Sequence, residues 1–189
     1  MNDTRPMNAF ISKGLAWAGA LVLMLAASAQ GRQPEGTTEE ELGGKYRLAI
    51  APAEAKKRIE QRIDDGTDDM PGLRRRIGRK RLREKNPVVH RLHIAFPDDR
   101  VAVAMDEDRY VTPGDGKLVE VRLSDGEVVR VAQKVVGTKL MQRFIGDDGQ
   151  RTDVFTLSEE GDRLTMRVTL TSDRLSQPIR YAIPYRRAD

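Results

Sequence analysis

The clearest signal in the chain is an alternation of apolar and polar positions that begins at His90 and persists almost to the end. Leu92, Ile94 and Phe96 alternate with polar residues or alanine, and Val101, Val103 and Met105 do the same after the turn Pro97-Asp98-Asp99-Arg100. A period of two places every second side chain on the same face of a strand. Turn-forming clusters then recur at Pro113-Gly114-Asp115-Gly116, Ser124-Asp125-Gly126, Gly137-Thr138, Gly146-Asp147-Asp148-Gly149, Glu160-Gly161-Asp162 and from Ser172 to Pro178. Asp-Gly between alternating runs is a strong hairpin signal. The pattern predicts eight strands, near 90–96, 100–106, 117–123, 127–135, 138–145, 150–157, 163–171 and 178–186. Successive hairpins make an antiparallel meander, and such a sheet must curl or close to protect its edges.

Ahead of this run the period is helical. Pro52 suits a first helical turn, where its missing N–H costs nothing. Ala55, Ile59 and Ile63 then recur at helical spacing until Gly66. A second helix is expected from about Pro71 to Lys85, with a thin apolar stripe of Met70, Leu73 and Ile77, Leu82 on the opposite side, and Pro87 beyond its end. The expected fold is mainly β: an eight-stranded antiparallel up-and-down barrel or half-barrel with two N-terminal helices covering an opening or an edge.

The faces of the strands say what the barrel encloses. Leu164, Met166, Val168 and Leu170 share one side of a strand, and Thr165, Arg167, Thr169 and Thr171 the other. Ile179, Tyr181, Ile183 and Tyr185 form the matching inner side of the last strand, with Arg180 and Arg186 outside. A membrane-spanning barrel needs the reverse, an apolar exterior around a polar lumen. An apolar interior of this size is either filled by side chains or holds one small ligand, and the sequence leaves both open. Three polar residues interrupt the inner face: Gln142 between Leu140 and Phe144, Asp153 between Arg151 and Phe155, and Tyr181 between Ile179 and Ile183. Buried polar groups need partners. These are found either inside the protein, as Arg151 with Asp153, or on a ligand. Gln142, Phe144, Phe155, Tyr181 and Tyr185 are the candidate ligand-lining residues, with Gln142 orienting the ligand.

The N-terminus reads as an address. Residues 1–13 are polar with a net charge of +1, Leu15 to Ala27 is an unbroken apolar run of 13 residues, and Ala27-Ser28-Ala29 offers small residues for cleavage. This predicts a signal peptide over 1–29, cleaved after Ala29, and a periplasmic or secreted protein with no remaining transmembrane span. The alternative is an N-terminal membrane anchor, for which the run is short of the roughly 20 residues a span requires. Residues 30–46 are expected to be a flexible linker, and 47–189 a single domain.

Composition narrows the chemistry. The chain of 189 residues has no cysteine, which excludes disulfides, thiolate metal sites and a cysteine nucleophile. His90 and His93 are the only histidines, and their odd spacing on a strand directs them to opposite faces, so no metal site is expected. Asp106, Glu107 and Asp108 fall in an expected loop. No G-x-S-x-G, P-loop or G-x-G-x-x-G motif is present. No catalytic residue and no cofactor are therefore assigned, and the expected function is non-enzymatic: an exported barrel that binds a small apolar or amphipathic ligand.

One charge feature supplies an alternative. Arg74, Arg75, Arg76, Arg79, Lys80, Arg81, Arg83 and Lys85 stand against Glu84 alone. The whole chain carries only +4, so everything outside this stretch is net acidic. Such a patch would dock an anionic envelope surface. Nucleic acid is not expected as a partner, because no stacking aromatics interleave the arginines.

The layout resembles the calycin group, the lipocalins and fatty-acid-binding proteins, over about residues 48–186. The resemblance rests on the helix pair followed by a strand meander and on the closing segment RLTMRVTLTSDRLSQPIRYAIPYRR. That ending is also similar to one found in a group of exported bacterial proteins. The resemblance implies a barrel able to carry a fatty acid, a retinoid or a similar molecule. The chain lacks the lipocalin Gly-x-Trp, since Trp17 lies in the signal segment. It also lacks the Arg-x-Tyr carboxylate clamp, since Ile183 stands two positions before Tyr185.

Overall fold

The computed structural model describes residues 38–123, 126–146 and 149–188. These belong to one compact unit, Pro34–Asp189; a second unit, Met1–Gln33, lies outside the described residues. The expected signal peptide over 1–29, residues 30–37 of the expected linker, and the turn residues Ser124, Asp125, Asp147 and Asp148 also lie outside them.

The described residues form three helices and ten strands in the order α1 (Thr38–Leu42), β1 (Gly44–Leu48), α2 (Pro52–Asp65), α3 (Gly72–Lys85), β2 (Arg91–Ala95), β3 (Val101–Met105), β4 (Asp108–Thr112), β5 (Val119–Arg122), β6 (Val128–Val136), β7 (Lys139–Gly146), β8 (Gly149–Leu157), β9 (Arg163–Thr171) and β10 (Ile179–Ala188). All strands pair antiparallel in one sheet of order β4-β3-β2-β1-β10-β9-β8-β7-β6-β5. The sheet curls until its two ends nearly meet. A single bridge joins Asp115 to Lys134, and the Thr112 hydroxyl on β4 donates to Gln133 Oε1 on β6 at 3.0 Å. The result is a nearly closed barrel whose seam is stitched by side chains.

Ten strands replace the expected eight, the additions being β1 and β4. β1 carries only one deeply buried side chain, Tyr46, between Lys45 and Arg47, too short an alternation to read. It forms because β10 and β2 both pair with it. Residues 38–46, expected to be linker, thus hold α1 and the start of β1, with Leu42 and Tyr46 each about 1% exposed. β4 emerges from the acidic stretch expected to be a loop. Asp106 adopts φ 51°, the left-handed turn conformation asparagine and aspartate tolerate best, and its carboxylate accepts from the backbone N–H of His90 and Arg91. Asp108 then begins β4.

The helix pair forms where the spacing predicts it. α2 buries Ala55, Ile59 and Ile63 on one face and packs against β10; each buried isoleucine contributes about 2 kcal/mol. Its end at Gly66 comes so close to the sheet that a β-carbon there would meet Ile179 Cγ1 at 2.4 Å. α3 has no fully buried residue. It is held by ions: Arg79 donates to Asp64 O, Asp68 Oδ1 and Thr67 Oγ1 of the α2–α3 junction, and Arg83 to Asp64 Oδ1 at 2.6 Å. Lys85 meets Glu127, just before β6, at 2.6 Å.

Side chains fill the barrel. Tyr46, Tyr185, Phe155, Leu42, Ile94, Leu140, Leu164 and Ile183 are among the fully buried residues of one continuous core. Leu164, Met166, Val168 and Leu170 are buried together with Ile179, Tyr181, Ile183 and Tyr185, as the alternation requires.

Candidate functional site at the helix-covered mouth

At the end of the barrel beneath the helix pair, the apolar interior gives way to a polar cluster. Arg151 and Asp153 lie two apart on β8 and therefore face inward together. Arg151 Nε donates to Asp153 Oδ1 at 2.8 Å, with the Asp153 side chain fully buried and that of Arg151 17% exposed. The Arg151 guanidinium lies over the Phe144 ring, 5.7 Å from its centroid, and Tyr110 meets the same ring edge-on at 5.0 Å. Asn86, the residue that closes α3, completes the group. Its Oδ1 accepts from Tyr181 OH at 3.3 Å and from Arg151 Nη1 at 3.5 Å, and its Nδ2 donates to Leu82 O at 2.8 Å.

A second polar chain runs beside the first along the seam. Gln133 Oε1 accepts from Thr112, and Gln133 Nε2 donates to Gln142 Oε1 and to Tyr110 O. Gln142 Nε2 finds only the Met105 sulfur, at 4.0 Å. Two buried side-chain atoms among the described residues have no partner: Thr156 Oγ1, on the outward-facing register of β8, and Asp153 Oδ2, inside the barrel.

Burial sets the electrostatics. It raises the Asp153 carboxyl above its ordinary value, with the charge and hydrogen bond of Arg151 pulling the other way. It works against the Arg151 charge, which Asp153 more than offsets, so the guanidinium stays ionised. It pushes the Tyr181 phenol up to about 12, opposed by Arg151 and reinforced by Asp153. Tyr185 rises mainly for the same reason, and its neutral hydroxyl donates to Val89 O at 3.0 Å.

Of the residues assigned to a ligand from sequence, Gln142, Phe144 and Tyr181 belong to this cluster. Phe155 and Tyr185 are fully buried deeper in the barrel, toward α1. Asn86 and Tyr110 were not assigned. Asn86 carried one signal, an asparagine between a helix and a proline, the composition of a helix terminus. Tyr110 sits on a strand that the pattern did not reveal.

A cleft of about 570 Å3 leads to Asn86 from outside. Pro52, Ala53, Ile59, Pro87 and Val88 give it apolar walls, and Lys56, Arg83 and His90 with Glu60 and Glu84 a rim of mixed charge. Asn86 lines the cleft and also bonds to Arg151 and Tyr181, so it separates the cleft from the buried cluster. The basic helix lies alongside. Of its eight cations, Arg79, Arg83, Lys85 and Lys80 are ion-paired, the last with Glu84 at 3.9 Å, and Arg75 donates to Met70 O. The patch is thus much weaker than its sequence charge. Arg74, Arg76 and Arg81 face outward beside Leu73 and Ile77, which are 65% and 47% exposed. His90 and His93 are both exposed.

No protein-family model matches the chain, and neither does any curated protein. Solved structures similar to it include fatty-acid-, lipid- and bile-acid-binding proteins and a fluorescent protein. They include lipid binding protein 8 of Caenorhabditis elegans, at 10% identity and TM-score 0.47, covering 79% of this chain and 96% of that one. A Schistosoma mansoni fatty acid binding protein in complex with arachidonic acid shows 14% identity and TM-score 0.48, covering 81% and 100%. A zebrafish ileal bile-acid-binding protein complexed with cholic acid shows 12% and 0.45, covering 78% and 99%. At these values the likeness is one of general shape.

Proposed function

We propose that the protein is a non-enzymatic binder of one small amphipathic molecule, held at the helix-covered mouth. The apolar part lies in the cleft between α2 and the end of α3, and with the Asn86 side chain turned aside the polar group reaches Arg151, Asp153 and Tyr181. The observation that carries this reading is the placement of Asn86, which lines the cleft on one side and meets the buried ion pair on the other. A buried charge pair costs desolvation and is weak evidence for stability. Beside an apolar cleft it is the kind of polar group that orients a ligand. The filled interior argues for the mouth over the barrel centre.

The test is titration with Nile red, an uncharged apolar dye. Saturable binding of one equivalent is expected. Ala53→Trp, at an exposed helix position that walls the cleft, should abolish it and leave the melting temperature unchanged. No binding by the native protein, or full binding by the variant, contradicts the reading.

A second reading is favoured by the outer face of α3. Leu73 and Ile77 are one helical turn apart and exposed, with Arg74 and Arg76 beside them. This face suits an anionic envelope surface, with apolar residues entering the interface and arginines meeting headgroups. Replacing Arg74, Arg76 and Lys80 with glutamine should abolish sedimentation with anionic vesicles at low salt; unchanged sedimentation removes this reading. Both readings place the protein in the periplasm or outside the cell, with residues 1–29 removed. N-terminal sequencing of the protein from its own cells should begin at Gln30, and a start at Met1 would favour the anchor instead.

A further inference from the structure

We infer that the ligand's polar group is a hydroxyl, and that Asp153 with Gln142 selects it against a carboxylate. This rests on the reading that the mouth binds an amphipathic molecule. Three observations lead to it. First, Asp153 Oδ2 is fully buried and accepts no hydrogen bond, while its other oxygen is taken by Arg151. Oδ1 pairs with the Arg151 guanidinium at 2.8 Å, and the lone pairs left on Oδ2 call for a donor. Second, Gln142 sits directly across β7–β8 from Asp153, and its Nε2 donor has only a distant sulfur as partner. Third, the one cation inside the buried cluster is engaged: Arg151 directs its Nε to Asp153, its Nη1 to Asn86 and its face to Phe144.

A hydroxyl answers all three. It donates to Asp153 Oδ2 and accepts from Gln142 Nε2, and it brings no charge into a site that is already neutral. A carboxylate could accept from Gln142 but would set a second negative charge beside Asp153 in a water-poor environment, where like charges repel strongly. The internal carboxylate thus engages the arginine of the buried cluster, and an acidic head group would find cations only at the outer rim. The ligand class that fits is a neutral amphipathic alcohol.

The experiment is a competition against Nile red with three ten-carbon ligands: decan-1-ol, decanoate and 1-methoxydecane. The alcohol should compete about tenfold or more better than the carboxylate, and likewise better than the ether, which accepts but cannot donate. In Asp153→Asn the charge that repels decanoate is gone and Arg151 is free to meet it, so the alcohol preference should shrink by about tenfold or reverse. The three-ligand series on the native protein stands even if that variant fails to fold. Decanoate matching or beating the alcohol overturns the inference and leaves the binding reading intact. An ether as good as the alcohol also overturns it, because Asp153 is then satisfied by water. Competition by none of the three, with Nile red bound only outside the cleft or not at all, overturns the binding reading and the inference with it.

Discussion

The two ends of the barrel are closed in opposite ways. At one end α1 acts as a plug, and almost every bond that holds it ends on the backbone. Tyr46 OH donates to Leu42 O at 2.8 Å, and Arg187 donates to Gly43 O at 2.7 Å, Glu41 O at 2.5 Å and Gly161 O at 2.8 Å. The same guanidinium covers the Tyr46 ring at 5.0 Å. At the other end α2 rests on its buried apolar face, and the bonds that hold α3 and Asn86 run largely between side chains: Arg79 and Arg83 to Asp64, Lys85 to Glu127, Asn86 to Arg151 and Tyr181. At the plug one partner of each bond is a backbone carbonyl fixed by the fold, and only the Tyr46 and Arg187 donors can turn. Side chains can exchange partners by rotation. The plugged end is therefore built for stability, and the mouth is the end able to admit another molecule.

This contrast can be broken by substitution. The largest effect is expected at the mouth when its ion pair is halved. Arg151→Met strands a buried carboxyl and should lower unfolding free energy by about 3–5 kcal/mol in urea. The double variant Arg151→Met/Asp153→Leu should recover most of that loss while abolishing alcohol binding, since an apolar replacement of a buried pair is often neutral. A double variant as unstable as the single would mean that the pair holds the fold. Next comes the plug: Arg187→Ala removes three bonds to carbonyls and should cost about 3 kcal/mol, with ligand binding intact in the folded fraction.

A smaller effect is set by pH. Tyr181 ionises near 12 in the folded protein against 10.0 for an ordinary tyrosine. Its contribution is full below pH 10 and is lost as pH rises toward 12, because the unfolded chain gives up the proton first. The loss is on the order of 2 kcal/mol, and Tyr181→Phe should flatten the alkaline limb of stability measured by urea titration. An unchanged limb would place that phenol in water. The smallest effect belongs to the outer face of α3, where Arg74→Gln with Arg76→Gln should shift stability by less than about 0.5 kcal/mol.

The same contrast explains what was legible in the sequence. β9 and β10 show long alternations, so their faces, turns and register could be read directly. α2 could be read from Ala55, Ile59 and Ile63. β1 could not, because its pairing partners lie far along the chain, and β4 could not, because it leaves β3 through the acidic turn at Asp106 and each of the two strands buries few side chains. The charge of α3 was plain as composition. Its neutralisation was not, because Asp64 lies 19 residues before Arg83 and Glu127 lies 42 beyond Lys85. Arg151, Asp153, Gln142 and Tyr181 stood out as polar residues on an apolar face. Asn86, which joins them to the outside, is 65 residues from Arg151 and 95 from Tyr181, and only folding brings it there.

The most direct test is an NMR titration of the native protein with decan-1-ol, following the Asn86 side-chain amide and the Arg151 Nε–H alongside the backbone amides of Gly43 and Tyr46. The first two resonances should move together and saturate at one equivalent, while Gly43 and Tyr46 stay in place. Saturable shifts confined to the α1 end, or no shift at Asn86 and Arg151, would contradict the account.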